Sequence, residues 1–225
     1  MNSLAVYNDL KKDILYLDLE PGTMISELQI SEKYGISRTP IRDAIKALVS
    51  EGFLEVRPHI GSFVSLIDLN KVSDSVFIRH SLELSVLKEL CPNFTSYYAL
   101  ALEQLLNQQE QLVNRTDTQE AQWDFIQLDN AFHAKLFELA GKASVWNTIT
   151  SMNQHYLRFR TLLVRYNSDP IDILYQQHRE LLNALIARDW HNLEKKTSQH
   201  ITAGFSRCGE VMTKHNAYFC NTTIL

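Results

Sequence analysis

The stretch PGTMISELQISEKYGISRTPIRDAIKALVSEGFLEVRPHIGSFV, Pro21–Val64, decides how this chain is read. Ser26 stands where a helix N-cap belongs, with Gln29 at capping-box spacing, and predicts a helix to about Tyr34. Gly35-Ile36-Ser37 reads as a tight turn: Gly35 tolerates a left-handed backbone, and Ser37 suits the N-cap of the next helix. Pro40 falls in that helix's first turn, where its missing N–H breaks no intrahelical bond. Ile41, Ala44, Ile45 and Leu48 recur at helical spacing and predict a buried face. Arg38, Arg42 and Lys46, at i, i+4 and i+8, line a different side. Gly52 is placed to end the helix, and two β-prone runs, Phe53–Val56 and Ser62–Val64, flank Arg57-Pro58-His59-Ile60-Gly61 as a wing. A helix, a turn, a second helix with a cationic face and a hairpin make a winged helix-turn-helix, a shape that reads DNA.

Upstream, Ser3 to about Asp18 predicts a first helix with Val6, Tyr7, Leu10, Ile14 and Leu15 inward. The module closes near residue 66, residues 67–70 read as a short linker, and Asp68 is placed to cap the next helix. Bulk charge gives DNA binding no help. The 225 residues sum to −4, and through Leu66 seven Lys/Arg face nine Asp/Glu, so the case rests on the local cationic face. The three cysteines, Cys91, Cys208 and Cys220, are odd in number and far apart, which argues against a disulfide framework and for a reducing cytoplasm. No apolar run reaches membrane-spanning length, and the first residues are amphipathic rather than a leader. A cytoplasmic protein with no membrane partner is the expectation.

From residue 71 to 225 the pattern is helical throughout, so the fold class expected is mainly α: a winged module followed by an all-α bundle of about six helices. The predicted helices are Leu69–Leu90, Thr95–Val113, Thr118–Leu139, Ser144–Tyr166, Pro170–Arg188 and Trp190–Lys214. Gly141 and Asn167-Ser168-Asp169-Pro170 punctuate them.

This half places polar groups where apolar ones belong. Asp129 and His133 share a face with Ile126, Leu136, Phe137 and Ala140; His178 lies among Leu174, Tyr175, Leu181 and Leu182; His200 follows Leu193 and Thr197. An unpaired buried carboxylate costs several kcal/mol, so something must compensate Asp129. Four helix-borne N/O ligands meeting at a point suit a divalent cation, zinc, nickel or manganese. Two plainer readings stand beside it: an i,i+4 hydrogen-bonded Asp129–His133 pair, and core histidines bonded to carbonyls. Arg79 and Glu83 lie one turn apart on an inner face, either as a self-neutralising pair or with the arginine free for an anion. Tyr156, Phe159 and Tyr166 read as core packing, and His80, His155, His191 and His215 as surface or incidental.

The segment SRTPIRDAIKALVSEGF, with the wing after it, resembles the N-terminal domain of the GntR family of bacterial transcription regulators. The helical half resembles the effector domain of its FadR-type (FCD) branch, and its short length is similar to the VanR-like group. The resemblance implies a ligand-responsive transcription regulator, a repressor, binding a palindromic DNA operator as a homodimer and catalysing nothing. It implies that Ser37, Arg38, Thr39, Arg42 and Lys46 on the recognition helix, with His59 and Gly61 in the wing, contact DNA. Many relatives carry a cation where this chain has Ile60, and some an arginine where it has Leu28 or Gln29. The set Asp129, His133, His178 and His200 matches the branch's metal pattern, and the arginine at Arg79 is implied to bind a small carboxylate effector beside the metal. Arg158 and Arg160 are weaker candidates for the same cavity. Two other functions remain open at this point: a metal-dependent enzyme acting on a small organic acid, and a constitutive repressor with a structural metal.

Overall fold

A computed structural model of the chain describes residues 2–115, 118–152, 154–166 and 170–221. Helix α1 (Ser3–Tyr16) begins at Asn2, whose side chain accepts the Ala5 N–H, and ends where Leu17 turns left-handed at φ 63°. Strand β1 (Met24–Ile25), α2 (Glu27–Tyr34), α3 (Arg38–Ser50), β2 (Leu54–Arg57) and β3 (Gly61–Val64) come next. The strands form an antiparallel sheet in the order β1-β3-β2. The sequence reading has no β1, because two residues carry no alternation. Ser26 caps α2 by accepting the Gln29 N–H, and Gly35 closes that helix left-handed at φ 63°. Ser37 holds the N-cap position of α3 without a side-chain capping bond. Ile41, Ala44, Ile45 and Leu48 pack with Val6, Leu10, Ile14 and Phe53 in one core, each large aliphatic contributing about 1.5–3 kcal/mol by leaving water.

The helical half comprises β4 (Ile67–Asp68), α4 (Leu69–Leu90), α5 (Ser96–Val113), α6 (Gln119–Leu139), α7 (Ala143–Ser151), α8 (Gln154–Arg165), α9 (Ile171–Ile186), α10 (Trp190–Arg207), α11 (Gly209–Lys214) and β5 (Phe219–Cys220). Asp68, Thr95 and Thr118 cap α4, α5 and α6 through their side chains. The helix expected over Ser144–Tyr166 is two, α7 and α8. Neither Gly nor Pro stands between them, so periodicity alone runs them together. The helix expected over Trp190–Lys214 likewise breaks at Cys208, ahead of Gly209. The bundle therefore has more than six helices. Asn167, Ser168 and Asp169 lie outside the described residues. The 67–70 linker is not open chain: Ile67–Asp68 pair in parallel with Phe219–Cys220, and Leu69 already starts α4. Among the described residues no helix is long and apolar enough to cross a membrane. The three cysteines are free thiols.

Helix α8 joins the halves. Gln154 Nε2 donates to the Gly52 carbonyl at 2.7 Å, and Arg165 donates to the Leu17 carbonyl at 2.9 Å. Arg158 Nη1 donates to the Ser65 carbonyl at 2.6 Å and Nη2 to the Ser65 hydroxyl at 3.1 Å. Burial lowers the Arg158 pKa to about 10. His155 is buried, not the surface residue expected: its Nδ1 accepts the Asp68 N–H at 3.1 Å. Burial, with Arg158 beside it, pushes the ring's pKa down to about 4 and keeps it neutral.

Candidate metal centre and DNA-reading face

Asp129 and His133 sit one turn apart on α6, His178 on α9 and His200 on α10, and all four side chains are buried. One ligand atom from each lies within 4.8 Å of the others. The outer nitrogen of every ring has an acceptor oxygen beside it. Gln109 donates its Nε2 to the Leu128 carbonyl at 3.1 Å, which turns its Oε1 toward His178 Nδ1 at 2.9 Å. Gln177 Oε1 lies 2.8 Å from His200 Nδ1, and Glu83 Oε2 lies 2.7 Å from His133 Nδ1. These acceptors hold each proton on Nδ1, so the Nε2 lone pairs face inward.

That arrangement is incomplete by itself. His178 Nε2 is buried, 3.3 Å from Asp129 Oδ1 but outside hydrogen-bonding geometry, and the Nε2 atoms of His133 and His200 face one another at 3.1 Å. Two lone pairs repel at that distance unless a cation or a shared proton lies between them. Burial lowers the pKa of His178, against the pull of Asp129, and lowers that of His200 together with its ring neighbours, so these two rings stay neutral and able to ligate. Three imidazoles and a carboxylate are a donor set able to hold a divalent transition ion.

Burial would raise the Asp129 pKa, but the Arg160 guanidinium overrides it and holds the carboxyl well below its usual range. Arg160 grips both oxygens, Nη1 to Oδ2 at 2.5 Å and Nη2 to Oδ1 at 2.9 Å. Glu83 is handled alike: burial opposes ionisation, and Arg79 followed by His133 brings its pKa down to about 2. Arg79 donates to Glu83 at 2.7 Å and to the Tyr156 hydroxyl at 2.6 Å, a layer behind His133. Arg158 is not brought to this cluster, contrary to expectation. It and Arg160 are two residues apart on α8, about 200° around the helix, so one faces the linker and the other the centre. A cavity of about 20 Å³, room for roughly one water, lies beside the centre between Tyr156, Phe159, Arg160, His200, Gly204 and Phe205. Gly204 matters there: a Cβ would sit 3.1 Å from Leu163 Cδ1, so glycine lets α10 close on α8.

Sequence reading missed Gln109 and Gln177. Gln109 left a signal, a polar residue completing the buried stripe of Leu102, Leu106 and Leu112 on α5; Gln177 left none beyond its place before His178.

On the other half, Ser37, Arg38, Thr39, Arg42 and Lys46 are exposed along α3. His59, left-handed at φ 63°, and Gly61 lie at the β2–β3 turn. The wing has a cation at Arg57, which stacks 4.2 Å from the Phe63 ring and pairs with Glu55.

Residues 2–64 match the model of bacterial regulatory proteins of the gntR family, and residues 74–203 match the FCD domain. The chain belongs to the GntR family. It is 32% identical over 196 residues to the HTH-type transcriptional repressor RspR of Escherichia coli (strain K12), covering 87% of this chain and 84% of that protein. It is 33% identical over 204 residues to an HTH-type transcriptional regulator in an unstable DNA locus of Streptomyces ambofaciens, covering 91% and 84%. The solved structure of E. coli McbR/YncC superposes with a TM-score of 0.68 at 23% identity, covering 95% and 98%, and shows the same fold. This GntR chain is therefore a DNA-binding transcriptional regulator, and its family is not one of enzymes.

Proposed function

We propose that this GntR regulator is a repressor that binds a palindromic operator as a homodimer and is controlled by a small carboxylate metabolite at the centre of Asp129, His133, His178 and His200. Residues 1–66 are the output and residues 71–225 the sensing and dimerising half. The observation that carries this reading is the double engagement of α8, which presents Arg160 to the centre and Gln154, His155, Arg158 and Arg165 to the DNA-binding half and linker. A divalent ion there, zinc, nickel or manganese, supplies a cationic anchor for the effector carboxylate. Arg160, rather than Arg158, is the arginine at this anchor, with Arg79 behind it. A carboxylate competing for the Arg160 fork loosens its grip on Asp129, and any shift of α8 pulls on Ser65 and Asp68. The 20 Å³ cavity requires that α8 and α10 part to admit such a ligand, which is the differential affinity for two states that control demands.

Two measurements test this. After chelation, zinc at a hundredfold its dissociation constant is expected to stabilise the protein by about 2.7 kcal/mol, a melting shift of roughly 5–10 °C at this length. No shift with zinc, nickel or manganese sinks the metal centre. For coupling, DNA selected from a random pool serves as operator, and a screen of organic acids with metal present supplies the effector. The effector is expected to weaken operator binding by about 5–150-fold. In Arg158→Met, which keeps bulk but loses the Ser65 bonds, that factor should fall toward one while metal-dependent stabilisation persists. Unchanged coupling in this variant would rule out the Arg158–Ser65 contact as the link, and a structural metal predicts no coupling in the parent protein either.

A further inference from the structure

Of the three cations along α3, Arg42 alone is held by an acid: Glu27 Oε2 and Oε1 lie 3.0 and 3.2 Å from its Nε. Among the described residues Arg38 and Lys46 have no ion-pair partner. Glu27 is the first residue of α2, the helix ahead of the turn, where the helix dipole favours a carboxylate. Pairs this exposed contribute little to stability. This one also offsets a cation on the face meant to meet phosphates, in a module already short of positive charge. Its geometry supplies a different role. Both carboxylate oxygens take the Nε–H, which leaves the end-on pair of Nη1 and Nη2 donors for another partner. Two parallel N–H donors on a fixed plane are what guanine O6 and N7 require in the major groove.

We infer that Glu27 is a specificity-determining residue that positions Arg42 for guanine. It limits the arginine's freedom to swing onto a phosphate, which would add affinity without sequence information. The inference rests on the operator-binding reading above and concerns selectivity within it.

The test uses the full-length protein, its selected operator, and a variant operator altered at the base pair where Arg42→Ala loses discrimination. Glu27→Ala is expected to lower the operator-to-variant affinity ratio about tenfold, the scale of one good bidentate contact. It should at the same time bind random duplex more tightly, with a steeper salt dependence by about one phosphate contact. Glu27→Gln keeps an oxygen for Nε–H and should retain most of the ratio while sharing the gain on random DNA, which separates positioning from charge. In the Arg42→Ala background, Glu27→Ala should leave the ratio unchanged. Equal strengthening on every sequence, with the ratio intact, overturns the inference, as does a loss of ratio that persists without Arg42. A parent protein with no preference for any selected DNA is a different outcome and defeats the operator-binding reading instead.

Discussion

Asp129→Ala is expected to lower unfolding free energy by about 3–5 kcal/mol and to abolish the melting shift with added metal. The size is set by the groups left behind. Arg160 is 5% exposed, and its fork closes on Asp129. Removing the carboxylate takes from a buried guanidinium the two oxygens its fork closes on, beside three rings that offer no anion. His178→Ala is the control that divides the two losses. It removes one neutral ligand and keeps the Asp129–Arg160 pair, so metal response should vanish at a smaller cost to the metal-free protein. Equilibrium denaturation of both variants, with and without zinc, checks the ordering. An Asp129→Ala protein as stable as the parent, or one that still shifts with metal, would refute the described centre.

Arg38→Ala is expected to weaken operator binding by about 10–100-fold, with a smaller effect on random DNA. Arg38 opens α3, is exposed, and has no ion pair among the described residues, so its donors are free for the groove. Lys46→Ala, by contrast, should weaken all sequences alike and reduce the salt slope by about one contact. Fluorescence anisotropy over a range of salt separates the two. Neither side chain is packed, so melting and its response to metal should match the parent. Equal losses on operator and random DNA in Arg38→Ala would make Arg38 a phosphate contact rather than a base reader.

Much of this was legible because it is local. Caps at Ser26 and Asp68, the left-handed Gly35, and the apolar stripe of α3 are each written within a few residues, and each stands where the sequence put it. The meeting of Asp129, His133, His178 and His200 was legible in a weaker sense, as charged or imidazole groups on inward helix faces. The breaks between α7 and α8 and between α10 and α11 were not, since an amphipathic pattern continues through them.

The sequence by itself determined a winged helix-turn-helix ahead of a helical half, the cationic face of α3, and four inward polar side chains on three helices. Only the tertiary structure decided what each buried charge meets. Arg160 rather than Arg158 faces the centre because α8 is clamped between two halves and its rotation fixes which arginine points where. Gln109, Gln177 and Glu83 set the tautomers because α5, α9 and α4 bring them against rings far away in the chain. The linker became strand β4 through residues at the opposite end of the molecule. Pairings of that kind depend on distances between elements, which periodicity along one element does not contain.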